Sequence, residues 1–134
     1  MIGGTIGMWL SDERTVMSLQ IDLDQNPSHW VLRLTGDLDY GECAAFRMYI
    51  DRVLKSSPPA TVVDLADLEY LDSSGLGLLL SLSKEYGASG GRLVLVTNET
   101  VDNILSLTRL NGIFSTASTM EEAIASIGGE HTSA

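Results

Sequence analysis

The apolar positions of this chain follow two spacings, one helical and one typical of strands. Between residues 40 and 55 apolar side chains recur about every 3.6 residues and predict a helix with one apolar face. These side chains are Cys43, Phe46, Ile50, Val53 and Leu54. The run Arg92–Val96 is almost continuously apolar, which is typical of a strand covered on both faces. Similar patterns predict strands at 16–23, 30–35 and 61–65 and from 113, and helices at 73–86, 101–108 and 120–127.

The order of these elements is β-β-α-β-α-β-α-β-α, which predicts one α/β domain. Alternating strands and helices favour a mostly parallel sheet covered by about four helices. The turn residues Asn26-Pro27-Ser28 join the first two strands and predict an antiparallel hairpin, and Gly36 is expected to end the second strand. Thr100 and Thr119 are expected to cap the last two helices. We expect residues 16–127 to form the domain, with flexible segments at 1–15 and 128–134.

Charge and composition exclude several classes of function. The 134 residues include 18 acidic and 8 basic side chains, a net charge of −10. Such a surface repels phosphate backbones and anionic bilayers, so we expect neither nucleic-acid nor membrane partners. The chain has one cysteine, no basic signal-peptide region and no run of ~20 apolar residues, and together these features predict a cytoplasmic protein.

Most catalytic and ligand-binding motifs are missing from the sequence. The two histidines, His29 and His131, are not placed to serve a serine nucleophile, and the sequence has no P-loop and no third Rossmann glycine. Cys43 lies on the apolar face of its helix, which favours a packing role, and the ligand count excludes zinc. We therefore expect neither an enzyme nor a bound metal or cofactor.

One segment carries more information, where Asp72-Ser73-Ser74-Gly75 opens the second helix. Aspartate and serine are preferred N-cap residues, so helix capping alone is one explanation of this pattern. The helix that follows is leucine-rich except for a stripe of small or polar residues, which are Ser73, Gly77, Ser81 and Lys84. A mid-helix glycine costs about 1 kcal/mol relative to alanine. Either a partner lies against this stripe, or Gly77 relieves crowding within the chain itself.

Four segments, in the same order, resemble the bacterial anti-sigma factor antagonists, which are stand-alone STAS domains. Tyr70–Gly77 resembles the family's phosphoacceptor motif, and Leu34–Asp39 resembles its Leu-x-Gly-x-Leu-Asp segment. Gly91–Val96 resembles its glycine-led fourth strand, and Leu107–Phe114 its passage from helix to strand. The similarity covers about 16–127 and implies a STAS-like fold. It departs at Arg109, where the family usually has glycine, so either Arg109 adopts a left-handed conformation or Gly112 makes the turn.

The resemblance implies a regulator that is a substrate of other enzymes. Members of the family bind an anti-sigma factor that is itself a serine kinase of the histidine-kinase-like ATPase type, and this binding releases the sigma factor. The kinase then phosphorylates the antagonist, here on Ser73, and a serine phosphatase restores it. Ser74 is the rival acceptor.

The resemblance also implies a set of partner-binding residues. They are Asp39, Asp72, Ser74, Gly75, Gly77, Ser81 and Lys84. Two of them have a structural alternative: Asp39 is equally suited to cap the helix at 40–55, and Asp72 is suited to cap the second helix if Ser73 does not.

The sequence is also compatible with functions other than a phosphorylation switch. The domain would also serve as a scaffold without phosphorylation, or as a nucleotide-sensing module, in a transporter or a stress-signalling assembly. A nucleotide would bind near Asp39 and Ser73, where a helix N-terminus can hold phosphate. A hydrolase that uses Ser73 would need a base, and no histidine is placed to act as one.

Overall fold

A computed structural model describes residues 18–133 of the chain, with side chains through Ile127. The strands are β1 (Leu19–Gln25), β2 (Trp30–Leu38), β3 (Ala60–Asp64), β4 (Leu68–Leu71), β5 (Arg92–Val96) and β6 (Ser115–Ala117). The helices are α1 (Cys43–Ser56), α2 (Ser73–Ser89), α3 (Glu99–Leu107) and α4 (Met120–Ser133), and a 3-10 turn at Tyr40–Glu42 precedes α1. The predicted flexible segment 1–15 lies outside the described residues. The last helix continues beyond its predicted end at Ile127.

The six described strands form one mixed sheet, in which five follow the order β1-β2-β3-β5-β6 and β4 pairs with β2 outside this path. β1 and β2 pair antiparallel, which confirms the predicted hairpin, and β3, β5 and β6 continue the sheet in parallel. β2 pairs with β3 along its first half and with β4 along its second half. Both sheet faces bear helices, because alternate residues of β3 and β5 point to two separate clusters.

The prediction that Gly36 ends the second strand is wrong, because β2 continues through a bulge to Leu38. The register of β2 against β4 shifts between Gly36 and Asp37, and Gly36 has a φ of +102°. A Cβ at this position would collide with the carbonyl oxygen of Ser18. Glycine is therefore required here by both the backbone conformation and the close approach of β1.

The sequence also failed to predict β4, which was expected to be a loop. Leu68 and Leu71 are buried whereas Glu69 and Tyr70 are exposed, so the segment lacks the alternation that reveals a strand. Pairing with β2 determines its conformation. The order of elements is therefore β-β-α-β-β-α-β-α-β-α.

The helical predictions hold, with one cap reassigned. Phe46, Ile50 and Val53 of α1 are buried, which confirms its apolar face. Thr119 caps α4 as predicted, since its Oγ1 accepts a hydrogen bond from the amide of Glu122 at 3.0 Å. Thr100 does not cap α3, because Asn98 does so by accepting from the amide of Val101 at 2.8 Å.

Arg109 adopts the left-handed conformation that the family resemblance assigns to glycine. Its φ is +62°, and Gly112 is not among the described residues with positive φ. The amide of Leu110 donates to the carbonyl of Leu105 at 2.8 Å, and that of Arg109 to Ser106 at 3.1 Å. These two bonds form a Schellman motif, which ends α3.

Replacing Arg109 with glycine is expected to stabilise the protein. A left-handed L-residue costs about 1–2 kcal/mol, and glycine's extra freedom in the unfolded chain offsets about 0.5–1 kcal/mol of that. The net gain of about 0.5–1 kcal/mol corresponds to roughly 2–5 °C in calorimetry. Asn111→Gly is the control, since Asn111 has ordinary backbone geometry and should lose stability. An equal loss in both variants would contradict the strain at Arg109.

Candidate functional site

The candidate site lies where β2 and β4 end side by side. Leu38 and Leu71 are paired in register at the ends of these strands. The next residues along each strand, Asp39 and Asp72, therefore leave the sheet at the same edge. Parallel sheets commonly bind ligands and partners beyond the carboxyl ends of their strands.

Asp72 joins two segments of the chain at this edge. Its Oδ1 accepts hydrogen bonds from the amides of Ser74 and Gly75 at 3.0 and 3.1 Å, which caps α2. Its Oδ2 accepts from the amide of Tyr40 at 3.1 Å. Ser73 is the first residue of α2 and is exposed, so the interpretation of its hydroxyl as the N-cap is wrong.

Asp39 organises the turn that precedes α1. Its Oδ1 accepts from the amide of Glu42 at 3.2 Å, and the thiol of Cys43 donates to its carbonyl oxygen at 3.3 Å. Asp39 is therefore a cap, which is the alternative role that the sequence suggested. It caps the 3-10 turn that precedes α1, however, and not α1 itself. Burial, followed by the negative charges of Asp72 and Asp39, raises the pKa of Cys43. A protonated thiol that packs against the core fits the predicted packing role of Cys43.

An open groove of about 330 Å³ separates the start of α1 from the start of α2. Its lining residues are Tyr40, Cys43, Arg47, Ser73, Ser74, Gly77, Leu78 and Ser81. Sequence reasoning missed Tyr40 and Arg47. The only available signal for Arg47 is its position one turn after Cys43 on the same helix.

The stripe of small and polar residues on α2 is exposed along its whole length. Ser73, Gly77, Ser81 and Lys84 all face solvent. A Cβ added at Gly77 would have no neighbour within 4 Å among the described residues, so crowding within this part of the chain does not explain the glycine. Ser81 and Lys84 also line a second groove of about 460 Å³, together with Leu80, Ser83 and Ile113.

Gly75 does not belong to the exposed surface, and its predicted role in partner binding is corrected. It is buried, and an added Cβ would lie 2.6 Å from Cγ of Leu38 and 2.9 Å from Cδ1 of Leu71. Gly75 therefore lets α2 pack closely on the ends of β2 and β4. Ser74 is half-buried, with its amide bound to Asp72.

The described residues contain neither a metal-binding cluster nor a membrane-spanning helix. No group of three or more His, Cys, Asp or Glu side chains in this part of the chain is arranged to hold a metal ion. None of the described helices has the length and apolar character needed to cross a bilayer.

Comparisons with known proteins agree on one family. The model of the STAS domain matches residues 20–123. The anti-sigma F factor antagonist of Paenibacillus polymyxa is 30% identical over 96 residues, which cover 70% of this chain and 82% of that protein. A crystal structure of an anti-sigma factor antagonist from Mycobacterium paratuberculosis has a TM-score of 0.74 at 26% identity, and the match covers 82% of this chain and 94% of that one.

A further relative has been solved in two states. The anti-sigma factor antagonist SpoIIAA in its unphosphorylated form has a TM-score of 0.69 at 28% identity, covering 82% of this chain and 97% of that one. The phosphorylated form of SpoIIAA from Bacillus has a TM-score of 0.64 at 27% identity, covering 81% and 99%. These matches confirm the fold class and the resemblance found in the sequence. The chain belongs to the STAS domain family.

Proposed function

We propose that this protein is an anti-sigma factor antagonist that is switched by phosphorylation of Ser73. One observation carries the proposal: Ser73 begins α2 with its side chain exposed, while Asp72 makes the capping bonds. The relatives described above are anti-sigma factor antagonists, which supports the function, and the relative SpoIIAA has been solved in a phosphorylated form.

The surface that would meet the anti-sigma factor, called the docking surface below, consists of Asp39, Ser73, Gly77, Ser81 and Lys84. The absence of a Cβ at Gly77 creates a flat strip that another backbone can approach closely. The binding free energy gained from such an approach would offset the loss of helix stability that glycine causes at this exposed position.

The partner would be an anti-sigma factor with kinase activity. It would transfer the γ-phosphoryl group of ATP to Oγ of Ser73, with release of ADP and of the hydroxyl proton. A serine phosphatase would hydrolyse the phosphoserine and restore the free form. The phosphate brings about −1.5 to −2 charges next to the carboxylate of Asp72, which already occupies the amides of Ser74 and Gly75.

The proposal is tested with purified anti-sigma factors from the source organism, each bound to its sigma factor. The unmodified protein is expected to bind one of them in calorimetry and to displace its sigma factor in a competition assay. Failure to bind every one of these anti-sigma factors would contradict the proposal. Binding that persists unchanged when Ser73 is phosphorylated would favour the scaffold alternative instead.

Gly77→Ala should separate stability from binding. Both Gly77→Ala and its control Gly87→Ala add a methyl group on α2 that meets none of the described atoms within 4 Å, so each should gain up to about 1 kcal/mol of stability. Only Gly77→Ala is expected to weaken binding to the anti-sigma factor, by about tenfold, or about 1.4 kcal/mol. Thermal unfolding and calorimetry measure the two effects. Equal affinities of the two variants would remove Gly77 from the docking surface.

A further inference from the structure

Tyr40 combines a fixed backbone with a free side chain. The residue is 79% exposed, yet its amide donates to Oδ2 of Asp72 at 3.1 Å. The turn that Tyr40 begins is capped by Asp39. A large aromatic side chain on a rigid turn loses little conformational freedom when a partner covers it, which is the property of a binding hot spot.

The position of Tyr40 connects it to Ser73. Both residues line the groove between α1 and α2, so a partner that covers Ser73 meets Tyr40 as well. The same carboxylate, that of Asp72, caps α2 through one oxygen and holds Tyr40 through the other. The backbone from which the aromatic ring projects is therefore held by the residue that precedes Ser73.

We propose that Tyr40 is the aromatic anchor through which the anti-sigma factor recognises this protein, and that Asp72 is the residue that positions it. The inference rests on the proposed function and adds a recognition residue to it. The complementary site on the anti-sigma factor would be an apolar cleft that takes the ring. Basic groups would rim this cleft, because Asp39 and Glu42 flank Tyr40 in the same turn.

The anchor is tested by calorimetry with the anti-sigma factor that binds the unmodified protein. Tyr40→Ala is expected to lose about 50-fold in affinity, and Tyr40→Phe, which keeps the ring, about threefold. Leu107→Ala is the control, because Leu107 is 83% exposed, lies at the end of α3 and does not line the groove that contains Tyr40 and Ser73. This control should change affinity by less than about twofold.

The positioning role is tested with Asp72→Asn. Asparagine caps a helix as well as aspartate does, so α2 should keep its cap, but the side-chain amide nitrogen cannot accept from the amide of Tyr40. The nuclear magnetic resonance signal of the Tyr40 amide should shift and its hydrogen exchange should quicken, with affinity reduced about tenfold. Glu42→Gln, which removes one charge from the same turn, should leave the Tyr40 amide signal in place.

The outcomes separate the two claims. If the unmodified protein binds no anti-sigma factor, the proposed function fails and the anchor fails with it. If the protein binds and Tyr40→Ala behaves like Leu107→Ala, the anchor alone is wrong. If Asp72→Asn leaves both the Tyr40 amide signal and the affinity unchanged, Asp72 does not position Tyr40.

Discussion

Phosphorylation of Ser73 is expected to weaken binding to the anti-sigma factor by about 100-fold or more, while the fold stays the same. The phosphate on Ser73 would face the nucleotide phosphates held by the kinase, apart from the basic rim that meets Asp39 and Glu42. Like charges brought together at an interface cost several kcal/mol, and about 2.8 kcal/mol corresponds to 100-fold. The site already carries Asp39 and Asp72, so an added phosphate makes this edge more negative without any change in the core. In the free protein, solvent and the helix dipole accommodate the charge, because Ser73 is the exposed first residue of α2.

The measurement compares the phosphorylated and free forms. Mass spectrometry after treatment with the kinase should find one phosphate on the unmodified protein and on Ser74→Ala, and none on Ser73→Ala. Calorimetry then gives the affinity of each form, and thermal unfolding gives its stability. Phosphate on Ser73→Ala would identify another acceptor. A phosphorylated protein with a rearranged core would overturn the electrostatic mechanism in favour of a conformational one.

Gly75→Ala is expected to destabilise the protein by about 1–2 kcal/mol, whereas Gly77→Ala stabilises it. The two glycines lie two residues apart on α2, but the added Cβ at Gly75 would fall 2.6 Å from Cγ of Leu38. Overpacking a core costs about 1–3 kcal/mol, and the gain in helix propensity recovers up to about 1 kcal/mol. Because Leu38 ends β2, relief of the clash must move α2 away from the strand end or displace the Leu38 side chain.

Urea unfolding of the two variants and the unmodified protein measures this difference. The two glycine variants change the same residue type in the same helix, so their difference in free energy of unfolding isolates the contacts of the added methyl group with Leu38 and Leu71. A Gly75→Ala protein as stable as Gly77→Ala would mean that the Leu38 side chain moves aside without a free-energy cost. The tight packing of α2 on the sheet would then not be what requires glycine at this position.

The sequence predicted those parts of the fold where local pattern and tertiary structure agree. The apolar face of α1, the continuous run of β5 and the opening hairpin all follow from spacing and turn chemistry. β4 could not be found this way, because its two buried leucines flank two exposed residues and its strand conformation comes from pairing with β2. The extension of β2 beyond Gly36 depends on the same pairing.

The candidate site was predicted in part, and the shortfall has a physical cause. Helical spacing predicted that Ser73 and the stripe through Gly77 share one face of α2. It left open whether that face meets a partner or the chain itself, and the structure shows the face exposed. Serine and aspartate are equivalent as caps in a sequence, and only the geometry assigns the cap of α2 to Asp72. The bond from Tyr40 to Asp72 joins residues 32 positions apart, which no local pattern reveals.

The backbone of Tyr40 contributes to the fold and its side chain does not, which affects how related proteins can diverge. The fold uses the amide of this residue and leaves its ring in solvent, so nearly any side chain at the position is compatible with folding. With Tyr40 as the proposed anchor, a substitution at position 40 would alter partner choice with little effect on folding. After gene duplication, two copies could acquire separate signalling circuits by a single substitution here, without loss of stability.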